Sequence, residues 1–216
     1  MNLIVFASGT GSNAKNIFEL AKQHPQFLSV KALICNRKQA GVLDFAEQYN
    51  IPAFICPVVR TGDRVQTRLA HEQRIAEHLD NIDFDYICLA GYMRIFTSSF
   101  IARYPHPVWP VSKIINIHPA LLPSFKGASG YDDAYNYGVR ISGVTTHFVS
   151  EEVDSGLILQ QRTFPRLTGD SLASFKKRGL EQEYICYQET LLALAQTNYH
   201  VQERPFQLEL NTSQDS

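Results

Sequence analysis

The chain has 216 residues, 44% of them hydrophobic and 19% charged, a balance that supports a packed core and excludes a disordered or low-complexity protein. Twenty Lys and Arg against twenty-one Asp and Glu leave a net charge of −1, too little for the basic field by which nucleic-acid binders gather phosphates. No stretch reaches the roughly 18 apolar residues of a membrane span, and the first apolar run stops at Ala7, shorter than a signal h-region, so the expected compartment is the cytoplasm.

Short β-branched runs alternate with helical patterns, the mark of parallel strands joined by crossover helices. Residues 3–7 form an apolar strand that runs into Ser8-Gly-Thr-Gly-Ser-Asn13, and a helix follows to about residue 23. A strand over 30–35 leads to a helix over 41–49, and a short strand covers 53–55. Between Asp63 and Asp80, apolar residues recur at Val65, Leu69, Ala76 and Leu79, which predicts a crossover helix buried along that face. Residues 86–90 read as a central strand, with 91–96 as the loop leaving it. A helix over 98–104 precedes prolines at 105, 107 and 110, which force an irregular connection before a strand over 113–118. A loop over 119–130, a short helix over 131–137 and strands over 142–149 and 157–164 follow, the last two flanking the acidic turn Ser150-Glu-Glu-Val-Asp-Ser-Gly156. A long helix over 171–196 is predicted to turn Leu172, Phe175, Tyr184, Tyr187, Leu191 and Ala195 inward. These elements predict an α/β fold. It is a single Rossmann-like domain over residues 1–204, with a mostly parallel, twisted sheet, helices on both faces and a frayed polar tail over 205–216.

Cys35, Cys56, Cys88 and Cys186 show no paired spacing for zinc or for a disulfide framework, and read as structural thiols in a reducing compartment. The first strand, its glycine loop and the helix start together present free backbone N–H groups and the positive end of a helix dipole, where phosphates bind. A dinucleotide fingerprint wants a third glycine where Ala14 stands and an acidic residue where Cys35-Asn36-Arg37 ends the second strand, so NAD is not expected. Nor does a Lys-Ser or Lys-Thr pair close a triphosphate loop. The segment is either a monophosphate site or a tight turn in which Ser12 or Asn13 caps the helix.

Asn116-Ile-His-Pro119 ends an apolar strand, and residues i and i+2 of a strand project from one face. An amide donor and an imidazole therefore stand side by side at a strand C-terminal end, where open α/β sheets bind ligands. Such a pair suits attack on a carbonyl. Asn116 can donate to a developing oxyanion, and His118, with an unperturbed pKa of about 6.5, can exchange a proton near neutral pH. Asp154 is the candidate partner, expected to raise the histidine's pKa and orient its ring. Taken singly, the same groups also read as satisfied structural side chains and a turn-forming Asp.

In the segments Ser8-Gly-Thr-Gly-Ser-Asn13, Leu89-Ala-Gly-Tyr-Met-Arg94, Asn116-Ile-His-Pro-Ala-Leu-Leu-Pro123, Gly143-Val-Thr-Thr-His-Phe-Val149 and Asp154-Ser-Gly156, the chain resembles the phosphoribosylglycinamide formyltransferase family of folate-dependent formyltransferases, from Met1 to about Glu203. The resemblance implies transfer of a formyl group from 10-formyltetrahydrofolate, as co-substrate, to the amine of 5'-phosphoribosylglycinamide in purine (IMP) biosynthesis. Neither metal nor NAD is implied, and the expected protein is a monomer or homodimer with small-molecule partners, no nucleic acid and no membrane. It implies that Asn116, His118 and Asp154 are catalytic, that Gly11, Ser12 and Asn13 hold the ribose phosphate, and that Glu183 contacts the ribonucleotide. Arg68, Met93, Arg94, Ile95 and Phe96 are implied to line the folate pocket, together with Asn116 and the turn residues Ser150, Glu151, Glu152, Val153 and Asp154. His147 falls at a histidine position near the site, in a supporting role.

The chain departs from the family's pattern in a longer connection over 105–112 and at Leu180, where a polar residue is expected. It departs again in Phe125-Lys-Gly-Ala-Ser-Gly-Tyr131, where the family commonly has Pro before the glycine and often a histidine-containing segment after it. That loop borders the substrate side, so the amine acceptor is the least determined part of the implied reaction. Formyltetrahydrofolate deformylases use the same Asn, His and Asp with water as nucleophile but normally carry an N-terminal regulatory domain. Sugar-amine and methionyl-tRNA formyltransferases usually add a C-terminal one, so the small transferase is the expectation. A folate- or nucleotide-binding homologue without turnover is the non-enzymatic alternative.

Overall fold

Apolar runs bounded by glycine, proline or polar residues settle as strands buried on both faces, as parallel sheets require. A computed structural model of the chain describes residues 1–196, 199–203 and 206–210. In chain order it contains β1 (Asn2–Ala7), α1 (Ser12–Gln23), β2 (Ser29–Cys35), α2 (Val42–Gln48), β3 (Ala53–Ile55), α3 (Arg64–Leu79), β4 (Tyr86–Leu89) and α4 (Ser98–Arg103). There follow β5 (Ile114–His118), α5 (Gly130–Tyr137), β6 (Ile141–Phe148), β7 (Ile158–Pro165), α6 (Leu172–Ala195), β8 (Tyr199–Glu203) and β9 (Phe206–Leu210). The strand order is β3-β2-β1-β4-β5-β6-β7. β1 pairs in parallel with β2 and β4, β2 with β3 and β4 with β5, whereas β6 and β7 are antiparallel. This is the mostly parallel α/β sheet that the sequence predicts.

The chain falls into two compact units, residues 1–106 with 112–116, and residues 107–111 with 117–216. The crossing lies inside β5, between Asn116 and Ile117, so no linker marks it in the sequence. In the first unit Phe6 pairs with Leu89, and Leu89 with Asn116. The loops after β1 and β4 therefore leave at the edge where β5 carries Asn116, the C-terminal edge of the parallel strands. Leu3, Ile4, Val5 and Phe6 are wholly buried and form the floor beneath that edge.

The buried face of α3 differs from the predicted one. Val65 and Leu69 are 62% and 38% exposed, and the inward residues are His71, Glu72, Ile75, Ala76 and Leu79. Two polar residues replace apolar ones because each has a partner. His71 Nε2 contacts the Tyr92 hydroxyl at 2.8 Å, while the Glu72 carboxylate accepts both the Thr97 N–H, at 2.7 Å, and the Thr97 hydroxyl. These hydrogen bonds offset part of the cost of burying polar groups, and they tie the loop after β4 to the helix.

In the second unit, Thr145 on β6 is wholly buried and its hydroxyl donates to the Ala120 carbonyl at 2.7 Å. The same oxygen accepts the Leu122 N–H at 3.1 Å and the Gln161 amide at 3.0 Å, which fixes the chain just after β5. Phe175, Tyr187 and Leu191 of α6 are buried as predicted, whereas Leu172, Tyr184 and Ala195 are half-exposed. All four cysteines are free and buried. Part of the predicted frayed tail is instead β9, paired antiparallel with β8 from Tyr199 with Leu210 to Glu203 with Phe206. Residues 197, 198, 204, 205 and 211–216, including the rest of that tail, lie outside the described residues.

His71 makes the first unit sensitive to acid. Burial, then the Arg74 and Arg94 charges, lower its pKa to about 4, and its Nδ1 has no hydrogen-bond partner among the described residues. The unfolded chain binds this proton more readily, so the stability of the neutral ring is complete above about pH 6.5 and is lost as pH falls towards the folded value. Between pH 7 and pH 5 the loss from this group should be about 2 kcal/mol. Urea denaturation at both pH values should show His71→Gln losing less stability than wild type across this interval; equal losses would contradict the assignment.

Candidate active site

The glycine loop has one conformation that its sequence permits. Gly11 is the N-cap of α1 at φ 83°, and a Cβ there would lie 2.5 Å from the Cβ of Val42. Only glycine tolerates both the left-handed backbone and the approach of α2. No side chain caps α1, so the alternative in which Ser12 or Asn13 caps it is not the one adopted. The start of α1 is the positive end of a helix dipole, the kind of position at which anions bind. A cavity of about 430 Å³ beside the loop is lined by Ser8, Gly9, Thr10 and Arg37, among others.

The loop after β4 lines a second cavity of about 610 Å³ in the same unit, with Arg68, Met93, Arg94, Ile95 and Phe96 on its wall. Five of the folate-side residues that the resemblance implies therefore share one cavity, whereas Asn116, in the same unit, is not part of its lining. Met93 and Ile95 are 65% and 56% exposed, whereas Phe96 is buried and stacks on Tyr92 and Phe100. The Met93 N–H donates to Ser8 Oγ at 3.1 Å, which ties this wall to the glycine loop. His71 and Glu72 line the same cavity, so the polar pairs that hold α3 also shape the pocket.

At the end of β5, Asn116 is the half-exposed residue of an otherwise buried strand, two residues before His118 and on the same face. In the second unit, His118 Nδ1 lies 3.3 Å from Asp154 Oδ2, and His147 Nε2 lies 3.6 Å from Asp154 Oδ1. The Gly127 N–H donates to Asp154 Oδ2 at 2.8 Å. The acidic turn delivers this carboxylate because Asp154 adopts φ 51°, a left-handed conformation that Asp tolerates better than most residues. Gly156 lets the turn fold against β6, since a Cβ there would fall 1.6 Å from the Phe148 carbonyl oxygen. Ser150, Glu151, Glu152 and Val153 form the outer part of the turn. Glu152 pairs with Lys126 at 3.3 Å, Ser150 Oγ donates to the Glu152 carbonyl, and Val153 is 41% exposed.

Burial pushes the Asp154 carboxyl up, but contacts from His147 and Gly127 and the neighbouring imidazoles outweigh it and hold the group below the usual carboxylate range. His118 departs from expectation. Asp154 and the Phe125 carbonyl do push its pKa up, but burial outweighs them, and His147 adds to the lowering, so the ring titrates below its ordinary value. Hydrogen bonding fixes a proton on one ring nitrogen. His118 Nε2 lies 2.8 Å from the Phe125 carbonyl oxygen, which can only accept, so Nε2 carries the proton. Nδ1 faces Asp154 Oδ2 at 3.3 Å, longer than the 2.7–2.9 Å of a charge-assisted N–H···O bond. The result is a neutral imidazole beside an ionised carboxylate, positioned to take a proton and be stabilised on receiving it.

Glu183 lies on α6 as a buried carboxylate that accepts the Tyr131 hydroxyl. That bond was not predicted, nor was the sharing of Asp154 by two histidines or the burial of His71. One signal was present in the sequence, a glycine at position 179 in the middle of a long helix, which marks a bulky neighbour. Among the described residues, no group of three or more His, Cys, Asp or Glu side chains is arranged to hold a metal.

Residues 1–191 match the family model described as formyl transferase. The phosphoribosylglycinamide formyltransferase of Bacillus subtilis is 34% identical over 194 residues, covering 90% of this chain and 94% of that protein. The trifunctional purine biosynthetic protein adenosine-3 of Gallus gallus is 32% identical over 195 residues, and the match takes in only 18% of that protein. The chain thus spans less than a fifth of the trifunctional relatives and nearly the whole of the bacterial one. The solved structure of a phosphoribosylglycinamide formyltransferase from Anaplasma phagocytophilum is similar with a TM-score of 0.85 at 32% identity, covering 100% of this chain and 96% of that one.

Gly156 tests the geometry of the turn that carries Asp154. Gly156→Ala should cost more than about 3 kcal/mol in urea denaturation, because the added methyl overlaps a carbonyl that β6 holds in place. A loss below about 1 kcal/mol would mean that the turn is not built on this contact.

Proposed function

Since the chain belongs to the formyl transferase family, we propose that it moves a formyl group from 10-formyltetrahydrofolate to the amine of 5'-phosphoribosylglycinamide, a step of purine biosynthesis. The observation that carries this reading is the buried His118–Asp154 pair, Nδ1 to Oδ2 at 3.3 Å, at the end of β5, two residues after Asn116. The relatives that this chain matches along most of their length are phosphoribosylglycinamide formyltransferases, which supports the acceptor. The protein acts in the cytoplasm as a monomer or homodimer. It works on small molecules, with neither nucleic acid nor membrane as partner, and needs neither metal nor NAD.

In the reaction the acceptor nitrogen attacks the formyl carbon, a new C–N bond forms, and the bond from that carbon to the folate nitrogen breaks. Asn116 donates its amide N–H to the oxyanion of the tetrahedral intermediate. The His118 Nε2–H, which donates to the Phe125 carbonyl, is the second donor. One proton must pass from the attacking to the departing nitrogen, and the His118–Asp154 pair takes and returns it, with Asp154 offsetting the imidazolium charge. The uncapped start of α1 at Gly11, Ser12 and Asn13 receives the acceptor's phosphate, and Glu183 meets its ribonucleotide portion. Arg68, Met93, Arg94, Ile95 and Phe96, together with Asn116 and residues 150–154, receive the folate. The four arginines around the 610 Å³ cavity, Arg60, Arg64, Arg68 and Arg94, suit its carboxylates.

The test is release of tetrahydrofolate from 10-formyltetrahydrofolate with and without phosphoribosylglycinamide. Release should depend on the amine, and Asn116→Ala should lower kcat on the order of a hundredfold. Equal release without the amine would identify a deformylase instead, and an unchanged rate in the variant would remove Asn116 from the oxyanion site.

A further inference from the structure

We propose that Tyr131 is a positioning residue for the acceptor, its phenol holding Glu183 in the orientation that meets the phosphorylated amine. This rests on the assignment of Glu183 to the acceptor side. Tyr131 ends the segment in which the chain departs from the family's pattern, and it is the second residue of α5. The helix is seated on the catalytic strand's exit, because a Cβ on Gly130 would lie 2.9 Å from the Pro119 carbonyl oxygen, one residue past His118.

From there the Tyr131 hydroxyl donates to Glu183 Oε1 at 2.5 Å, within the range of charge-assisted O–H···O bonds. The phenol remains a donor at neutral pH, since burial and the Glu183 charge both push its pKa up. Its ring is fixed edge-on by Phe164 and Phe175, with centroids 6.2 and 6.3 Å away. Space for the ring comes from Gly179, where a Cβ would stand 2.4 Å from Tyr131 Cε1 and 2.5 Å from Cζ. A glycine inside a 24-residue helix is unfavourable relative to alanine. Gly179 lies four residues before Glu183, one turn away on the same face of α6. The helix therefore carries, on adjacent turns, an opening for the phenol and the carboxylate that the phenol grips.

A Glu side chain has three rotatable bonds, and a carboxylate left free samples several orientations before a ligand selects one. With one oxygen gripped, Glu183 is oriented in advance, which lowers the cost of binding the acceptor. Neither Tyr131 nor Glu183 lines the cavity assigned to folate.

Steady-state kinetics with the full chain tests the role. In Tyr131→Phe the KM for phosphoribosylglycinamide should rise about tenfold or more, with kcat and the KM for 10-formyltetrahydrofolate within about twofold of wild type. Gly179→Ala, which drives the ring out of its place, should raise the same KM. In a Glu183→Ala background, Tyr131→Phe should add less than about twofold, since the contact it removes is already absent. An unchanged acceptor KM in Tyr131→Phe, a parallel rise in both KM values, or an undiminished effect in the Glu183→Ala background would overturn the role. A wild-type protein that transfers no formyl group to phosphoribosylglycinamide would overturn the assigned reaction and this role with it, whereas transfer with an unchanged Tyr131→Phe would overturn the role alone.

Discussion

The Asp154 carboxylate is the group around which the second unit's polar interior is arranged. Its Oδ2 accepts the Gly127 N–H and faces His118, and its Oδ1 faces His147. A buried carboxylate without such partners would cost several kcal/mol, so the loop over 125–127 and the turn over 150–156 are held together by necessity as well as by packing. Lys126, which reaches Ser155 at 2.5 Å and Glu152 at 3.3 Å on the exposed side, joins the same two segments. Exposed pairs of that kind contribute little, so the Gly127 N–H bond to the buried carboxylate dominates. The backbone accommodates them through the left-handed Asp154 and the close passage of Gly156 beneath Phe148.

The first unit solves a related problem with polar groups inside an apolar helix interface. His71 with Tyr92 and Glu72 with Thr97 hold the loop after β4 against α3, and Ser8 holds Met93 against the glycine loop. The walls of the larger cavity are thus set by hydrogen bonds whose loss would leave buried groups unsatisfied, which is costlier than losing an apolar contact of similar size. Arg60, Arg64, Arg68 and Arg94 line that cavity, and none has an ion-pair partner among the described residues. Charges left unneutralised around a concave wall attract anionic ligands.

Much of this was legible in the residues. Ala53–Ile55 is the strand predicted, and the other strands of the large sheet shift by a residue or so at their ends, because β-branched runs broken by Gly and Pro have few other ways to fold. The strand end at Asn116 and His118 was legible for the same reason, and so was a possible partnership with Asp154. The direction of the His118 pKa was not, since it depends on how far burial outweighs a carboxylate at 3.3 Å, and neither quantity is written in a motif. The face of α3 was misread because Val65 and Leu69 satisfy the apolar period while His71 and Glu72 satisfy burial through partners more than twenty residues away. Tyr131 and Glu183 lie fifty-two residues apart, and only Gly179 hinted at their meeting.

The neutral His118, protonated on Nε2 and facing an ionised Asp154 through Nδ1, is the feature on which the assigned chemistry rests. Nitrogen-15 NMR of the imidazole rings across pH measures tautomer and titration together. The structure predicts the Nε2–H tautomer for His118 and a midpoint below the ordinary histidine value of about 6.5. An Nδ1–H tautomer, or a midpoint above that value, would show that Asp154 outweighs burial and would contradict the account.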